Sequence, residues 1–479
     1  MFAAGHKPQF VQVCVLDDLP FPLLMERRGN ELSHLRADHS GTCRFIACAP
    51  SCARGIICAL QWNTLTLHFW KTIVTGADFA DVRIGISDLI VGDFAAAAVL
   101  ISFGAVLGRT SPLQTAVMAF LLNLIFSLNE VLLVEEIKAI DIGGSMVVHA
   151  FGAIFGLACS FILGQKKDAK GAAASSRTNA LFSMIGTIFL FAFWPSFNGA
   201  FAVGASQHRV IVNTVLSLCG SAVSAFLFSY ALRGGRFDME DIQNATLAGG
   251  VAVGTSANLV LFPGTALAIG LLAGLISIVG YVAITPMCTT RCNIRDTAGV
   301  NNLHGIPGIL AGIISAVAIG SASEKTYGLA LATVLPNVAN GTFTFSEQAG
   351  RQLAALVMSV VIALVGGLLT GAVLRLPFCR APLSLYDDRE AWHLDELDLF
   401  PNEIGAVDEE YGVTKDVYVG ATATASETTT AMPAAPLTSA ADADSDSDSD
   451  GSTGHKGGWA RTAASPQADD EADTKEPTA

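Results

Sequence analysis

Asp141-Ile-Gly-Gly-Ser-Met-Val-Val-His149 and Asp296-Thr-Ala-Gly-Val-Asn-Asn-Leu-His304 are near-copies of one another, each an Asp followed eight residues later by a His within an apolar segment. A helix rising about 1.5 Å per residue would carry each imidazole roughly 12 Å past its carboxylate, most of the way to the middle of a hydrocarbon layer about 30 Å thick. If the two segments enter from opposite faces, the imidazoles meet near the midplane. An ionisable group is costly at that depth, so a pair at matching depth marks a functional site.

That geometry requires a membrane protein, and the composition is that of one. Only 15% of residues are charged against 51% hydrophobic, and mean hydropathy is +0.50. The formal net charge of -14 describes neither half of the chain, because much of it sits in the C-terminal tail. The first 53 residues hold no uninterrupted apolar run; the best candidate, 10–25, is broken by Asp17, Asp18, Pro20 and Pro22, and no signal peptide pattern is present. Ten apolar spans follow, at 54–70, 89–108, 112–134, 142–164, 180–203, 210–232, 243–262, 264–286, 299–322 and 351–374, predicting an all-α polytopic membrane protein.

Lys and Arg set the orientation. Alternate connections carry Arg109; Lys166, Lys167, Lys170 and Arg177; Arg233 and Arg236; Arg291 and Arg295; Arg375 and Arg380. The opposite connections carry Lys71, Arg83, Lys138, Arg209, Lys325 and Arg351, an imbalance of eleven to six that places the first set and both termini in the cytoplasm. His149 then lies in the fourth span and His304 in the ninth, running in opposite directions, as expected of an inverted repeat with its working residues between the halves. Gly152 and Gly156 follow the first His, and Gly308 and Gly312 the second, giving each helix a small-residue face for close backbone approach.

The stretches Gly143-Gly-Ser-Met-Val-Val-His-Ala-Phe-Gly152, Trp194-Pro-Ser-Phe-Asn198, Asn244-Ala-Thr-Leu-Ala-Gly-Gly-Val-Ala-Val-Gly-Thr255 and Asn301-Asn-Leu-His-Gly-Ile-Pro-Gly308 closely resemble the Rh glycoproteins of the ammonium transporter superfamily. The resemblance runs from about residue 54 to 378 and implies the inverted-repeat ammonium transporter fold, a homotrimer with one pore per subunit, and ammonia or ammonium as the transported species. It also implies an outer gate of two phenyl rings, Phe94 and Phe197, and an outer vestibule containing Glu130, with Asn198 able to orient the incoming ion. Asp238, at the cytoplasmic edge, is placed by the topology where an inner vestibule would open, and Asp93 is a weaker candidate. Asp141 and Asp296 have a structural reading of their own, as carboxylates that cap the amides at the start of their helices.

The chemistry agrees with the resemblance. Carrying a bare ammonium ion through hydrocarbon costs many kcal/mol, whereas neutral ammonia forfeits only hydrogen bonds. Two uncharged imidazoles, each with one protonated and one bare ring nitrogen, offer that molecule both an acceptor and a donor. The expected function is therefore a passive ammonia or ammonium conduit and not an enzyme; no cofactor, resident metal or nucleic-acid partner is expected. A non-conducting structural or sensing subunit and a pore for carbon dioxide are the alternatives. No phosphate-binding Gly-x-x-x-x-Gly-Lys-Ser/Thr loop is present, which argues against an ATP-driven pump.

The chain departs from the family in span number, ten where eleven or twelve are usual. Residues 58–63 match the family's second core helix, so the region 1–53 reads as an atypical segment with a wrongly assigned start, or as a mark of an altered member. Ala180 stands where the family pattern has an acidic residue. Cys43, Cys48, Cys52 and Cys58 match no common zinc spacing and are assigned no site. Asn340-Gly-Thr342 is an N-glycosylation acceptor in a connection that the charge count makes external, where a eukaryotic host would modify it; the expected location is the plasma membrane. The segment 379–479, with its Asp/Ser run at 442–450, is expected to be a disordered, acidic cytoplasmic tail.

Overall fold

In a computed structural model, which describes residues 39–79, 84–164 and 177–379, the chain is a bundle of helices with no strand among the described residues. The principal helices are α1 (His39–Thr75), α2 (Ile86–Val106), α3 (Pro112–Glu130), α4 (Phe151–Leu163), α5 (Arg177–Asn198), α6 (Ala205–Leu232), α7 (Met239–Gly254), α8 (Pro263–Val279), α9 (Thr285–Arg291) and α10 (Ile306–Gly320). Three short helices, α11 (Glu324–Tyr327), α12 (Leu331–Val334) and α13 (Pro336–Ala339), lead to α14 (Phe345–Leu374).

Eight helical segments among the described residues are long and apolar enough to cross a membrane. The two further expected spans, 54–70 and 243–262, correspond to α1 and α7. The first is longer than expected, a helix of 37 residues that begins at His39 and passes the 53/54 boundary without a break. The second is shorter, because α7 is only 16 residues long and its chain turns at Thr255. Residues 1–38, the tail from 380 onward, and Arg83, Lys166, Lys167, Lys170 and Arg380 of the charge count lie outside the described residues.

Helix starts follow local chemistry. Ser111 caps α3, accepting from the Gln114 amide while the Gln114 side chain returns to the Ser111 N–H, with Pro112 in the first turn. Thr344 and Glu347 repeat the arrangement at α14.

Two apolar cores organise the bundle. One joins α2, α3, α4 and α14 around residues such as Phe126, Phe151, Phe155 and Met118; the other joins α5, α6, α7 and α8 around Leu218, Leu247, Val251 and Ile269. The last helix thus packs back on α3 and α4, early in the chain, and α10 lies between the cores, touching both α7 and α14. Glycine makes these approaches possible. A β-carbon on Gly152 would lie 2.9 Å from the Ala98 carbonyl oxygen and one on Gly156 2.6 Å from that of Ser102, so α4 meets α2 backbone to backbone. The Ser102 hydroxyl uses this proximity to donate to the Gly152 carbonyl at 2.6 Å.

Candidate functional site: a buried imidazole pair and a column of rings

The sequence duplication becomes a structural one. Neither Asp141 nor Asp296 lies in a helix. Each sits in an irregular lead-in that turns through a glycine with positive φ, Gly144 at 69° and Gly299 at 72°, a conformation that favours glycine because it has no β-carbon. Each helix then opens with a π-helical turn that contains the His, Ser145–Ala150 and Asn301–Gly305. The helical rise assumed over eight residues applies only from Ser145 and from Asn301, so the 12 Å offset between carboxylate and imidazole overstated the helical path. A π turn admits one extra residue and rotates the side chains that follow it, which is one reason such turns recur at functional sites.

The two carboxylates engage the opened backbone. Asp141 accepts from the Met146 and Val147 amides, both at 2.9 Å, and from the Thr255 hydroxyl at 2.5 Å. Asp296 accepts from Val300 at 3.0 Å and Asn301 at 2.8 Å. Burial raises both carboxyls above the usual range; the Thr255 hydroxyl and the capping amides oppose that shift at Asp141, and the amides oppose it at Asp296. Ser145 completes the seam, donating to the Val251 carbonyl at 2.7 Å and accepting from the Thr255 amide at 2.9 Å.

These supports bring the imidazoles together. His149 and His304 are 4% and 6% exposed, their Nδ1 atoms are 3.0 Å apart and their rings are parallel to within 1°. One proton between two Nδ1 atoms requires opposite tautomers: one ring carries its hydrogen at Nδ1 and has a bare Nε2, while the other accepts at Nδ1 and carries its hydrogen at Nε2. The pair therefore presents one acceptor and one donor on its far edges. His149 Nε2 has no hydrogen-bond partner among the described residues.

Aromatic rings continue from the pair in sequence. Trp194 stacks on His149 with centroids 5.6 Å apart at 18°, and Phe197 is tilted against the same imidazole at 5.7 Å. Phe94 stacks at a tilt on Phe197, 4.6 Å away at 34°. Trp194 Nε1 is buried and, like His149 Nε2, without a hydrogen-bond partner among the described residues; it lies against α7, where a β-carbon on Gly250 would stand 2.6 Å from it. Trp194 stands in the stretch Trp194-Pro-Ser-Phe-Asn198 with nothing in the sequence to mark it, since an indole in an apolar span is an ordinary packing residue until its N–H is found without an acceptor.

The other expected site residues have diverse settings. Asn198 is fully buried, with Nδ2 donating to Thr214 Oγ1 at 3.1 Å and the Gly250 carbonyl at 3.0 Å; only Oδ1 is without a partner among the described residues. Its amide hydrogens thus join α5 to α6 and α7. Glu130 ends α3, half-buried, with Oε2 lacking a partner among the described residues, and adjacent Asn129 has both amide atoms in that state. Asp93 is buried beside Phe94. Asp238 caps α7, accepting from Glu240 at 2.9 Å and Asp241 at 3.2 Å. Asn340 is exposed after α13, and the Thr342 amide donates to its side-chain oxygen at 3.0 Å.

Arg109, noticed in the sequence only for its charge, secures the lead-in to His304. It is 1% exposed and donates to the carbonyls of Ala105 at 2.7 Å, Arg295 at 2.8 Å and Gly164 at 3.1 Å and to Ser160 Oγ at 2.7 Å. Burial, helped by the nearby Arg295 charge and opposed by Asp296, pushes its guanidinium down to about 10, so it remains charged at neutral pH.

A sequence model described as the Ammonium Transporter Family matches residues 51–381. Mouse (Mus musculus) and human (Homo sapiens) proteins named Ammonium transporter Rh type B are each 45% identical to the chain, over 341 and 343 residues, covering 70% of it and 74% of each relative. Among solved structures, Nitrosomonas europaea Rh50, described with the mechanism of conduction by the Rhesus protein family of channels, aligns with TM-score 0.64 at 28% identity, over 85% of this chain and 97% of its own. A sensor Amt protein shares the fold with TM-score 0.58 at 21% identity, over 82% of this chain and 97% of its own.

Proposed function

The chain belongs to the ammonium transporter family, on its Rh branch, and from that premise we infer that it is an integral membrane channel in which ammonia passes along the ring column and over the His149–His304 pair. The single observation that carries the reading is the buried imidazole pair with its Nδ1 atoms 3.0 Å apart. An uncharged pair of opposite tautomers accepts one hydrogen bond and donates another, which is what ammonia requires and what a bare cation cannot use.

The entering species in water is mostly ammonium. Moving such an ion into a medium as apolar as the bundle interior has an idealised cost of order 20 kcal/mol, so the proton is left at the mouth and the neutral molecule continues. In this reading Glu130, at the end of α3 with Oε2 buried and unpartnered among the described residues, is the carboxyl that adds negative potential toward the outer mouth. Phe94 and Phe197 exclude water and hydrated ions, and beyond them Trp194 Nε1 donates to the ammonia lone pair while the histidines take and offer hydrogen bonds. Asp141 and Asp296 position the imidazoles by holding the starts of the two His-bearing turns, and Asp238 does the same for α7 at the inner mouth.

The surplus of Lys and Arg in alternate connections supports an orientation with both ends of the 54–378 region cytoplasmic. Assembly as a homotrimer in the plasma membrane, glycosylation at Asn340 and an acidic tail from 379 as a cytoplasmic appendage belong to the same reading.

Uptake of methylammonium by cells lacking their own transporters tests it, comparing the full chain with His149→Ala, His304→Ala and the double variant at matched surface expression. Uptake should rise with external pH as the neutral fraction grows, and should fall in each variant. Equal uptake in all four, or none above background for the full chain, refutes the assignment.

A further inference from the structure

Phe94 has a second aromatic neighbour. The ring of Phe201 meets it edge to face, with centroids 5.3 Å apart and planes at 89°. Phe201 lies in the bend between α5 and α6, and it is 37% exposed where Phe94 and Phe197 are 6% and 5% exposed. From solvent inward the rings therefore run Phe201, Phe94, Phe197 and His149, each in contact with the next.

The bend is not slack. The Gly199 amide donates to the Pro195 carbonyl at 3.0 Å, Ala200 to Phe197 at 3.2 Å and Ala202 to Gly199 at 3.2 Å, while Ala202 is buried at 2% exposure. Phe201 is flanked on both sides by backbone tied to the end of α5. The segment that carries Phe197 thus also carries the ring that braces Phe94 from a different direction.

We propose that Phe201 is a third, outermost ring of the aromatic gate, a specificity-determining residue that sets the size of amine admitted. The proposal rests on the conduction reading above. Phe94 cannot swing away from Phe197 without disturbing its edge-to-face contact with Phe201. Ammonia needs a small displacement of Phe94, and each added methyl group needs a larger one, so the contact weighs more heavily on bulky amines than on ammonia. A residue whose role were only to cover the bend would leave that ratio untouched.

Flux of ammonium, methylammonium and dimethylammonium into proteoliposomes containing the full chain, read by an internal pH dye, tests this. The variants are Phe201→Ala, Phe201→Leu and Phe201→Tyr. Phe201→Ala should raise the dimethylammonium-to-ammonium flux ratio by about two- to twelvefold, the range that one aromatic pair contact represents. Phe201→Leu should raise it less, and Phe201→Tyr, which keeps the ring, should leave it at the parental value. If Phe201→Ala does not yield folded protein, Phe201→Leu against Phe201→Tyr carries the comparison. A parental ratio in the Ala or Leu variant, with the full chain conducting, overturns the role of Phe201 and leaves the channel reading intact. A ratio in Phe201→Tyr that rises as far as in Phe201→Ala overturns it too. Absence of amine flux through the full chain removes both.

Discussion

Alanine at position 308 tests whether the imidazole pair depends on backbone contact. Gly308 lies in the first turn of α10, where a β-carbon would stand 2.7 Å from the Ser145 carbonyl oxygen, 2.9 Å from the Ala150 amide nitrogen and 3.0 Å from the Ala150 β-carbon. Two of these are backbone atoms of the very π turn that holds His149, so no side-chain rotation relieves the clash. Restoring ordinary contact at 3.4 Å requires the two His-bearing segments to part by about 0.7 Å. Passed on to the imidazoles, that movement stretches the 3.0 Å Nδ1–Nδ1 distance beyond the reach of a hydrogen bond. Overpacking should lower stability by about 1–3 kcal/mol. Loss of the hydrogen bond, about 0.5–1.5 kcal/mol, should lower ammonia flux by about two- to twelvefold. Gly312, one turn further along α10, is the internal control. A β-carbon there meets Met146 Sδ at 3.0 Å and the Leu356 δ-methyls at 3.1 Å, the mobile ends of side chains, so Gly312→Ala should be tolerated. The assay is flux per reconstituted molecule, with thermal unfolding of the same preparations. Equal flux and equal stability in the two variants would refute the reasoning.

Two further outcomes follow from the site. Arg109→Met removes a buried cation that serves four acceptors at once; the Arg295 carbonyl keeps the Ser160 hydroxyl and the Ala105 carbonyl keeps Thr297, and each acceptor left unpaired away from water costs about 1–3 kcal/mol, so the unfolding temperature should drop markedly, with Arg109→Lys intermediate, and an unchanged one would remove its bracing role. Trp194→Phe keeps a ring against His149 but deletes the open Nε1 donor, so flux should fall by about two- to twelvefold while the protein remains folded by thermal assay; parental flux would show that the indole hydrogen does not meet the permeant.

The eight-residue Asp-to-His spacing was converted to a helical rise, yet Gly144 and Gly299 turn the chain before either helix begins. A Gly inside an apolar run is compatible with helix or with a turn, and the π register beyond it leaves no mark on a hydropathy pattern. α7 was read as a longer span because Thr255–Leu261 is apolar enough to extend it, although its backbone turns there.

The duplicated Asp-to-His stretches, the low charge density and the recurrent apolar runs determined on their own that this is a helical membrane protein with two imidazoles in its interior. The family followed from the motifs around them. Those properties are legible because hydrophobic burial and helical periodicity act over a few neighbouring residues. Tertiary structure decided that the imidazoles share a hydrogen bond across 155 residues of chain and that Trp194 stacks on one of them with an open N–H. It decided also that the Asn198 amide hydrogens serve the scaffold and that Phe201 braces Phe94. Each depends on which way a side chain points once distant helices pack at glycine contacts, and that direction is fixed by the whole bundle.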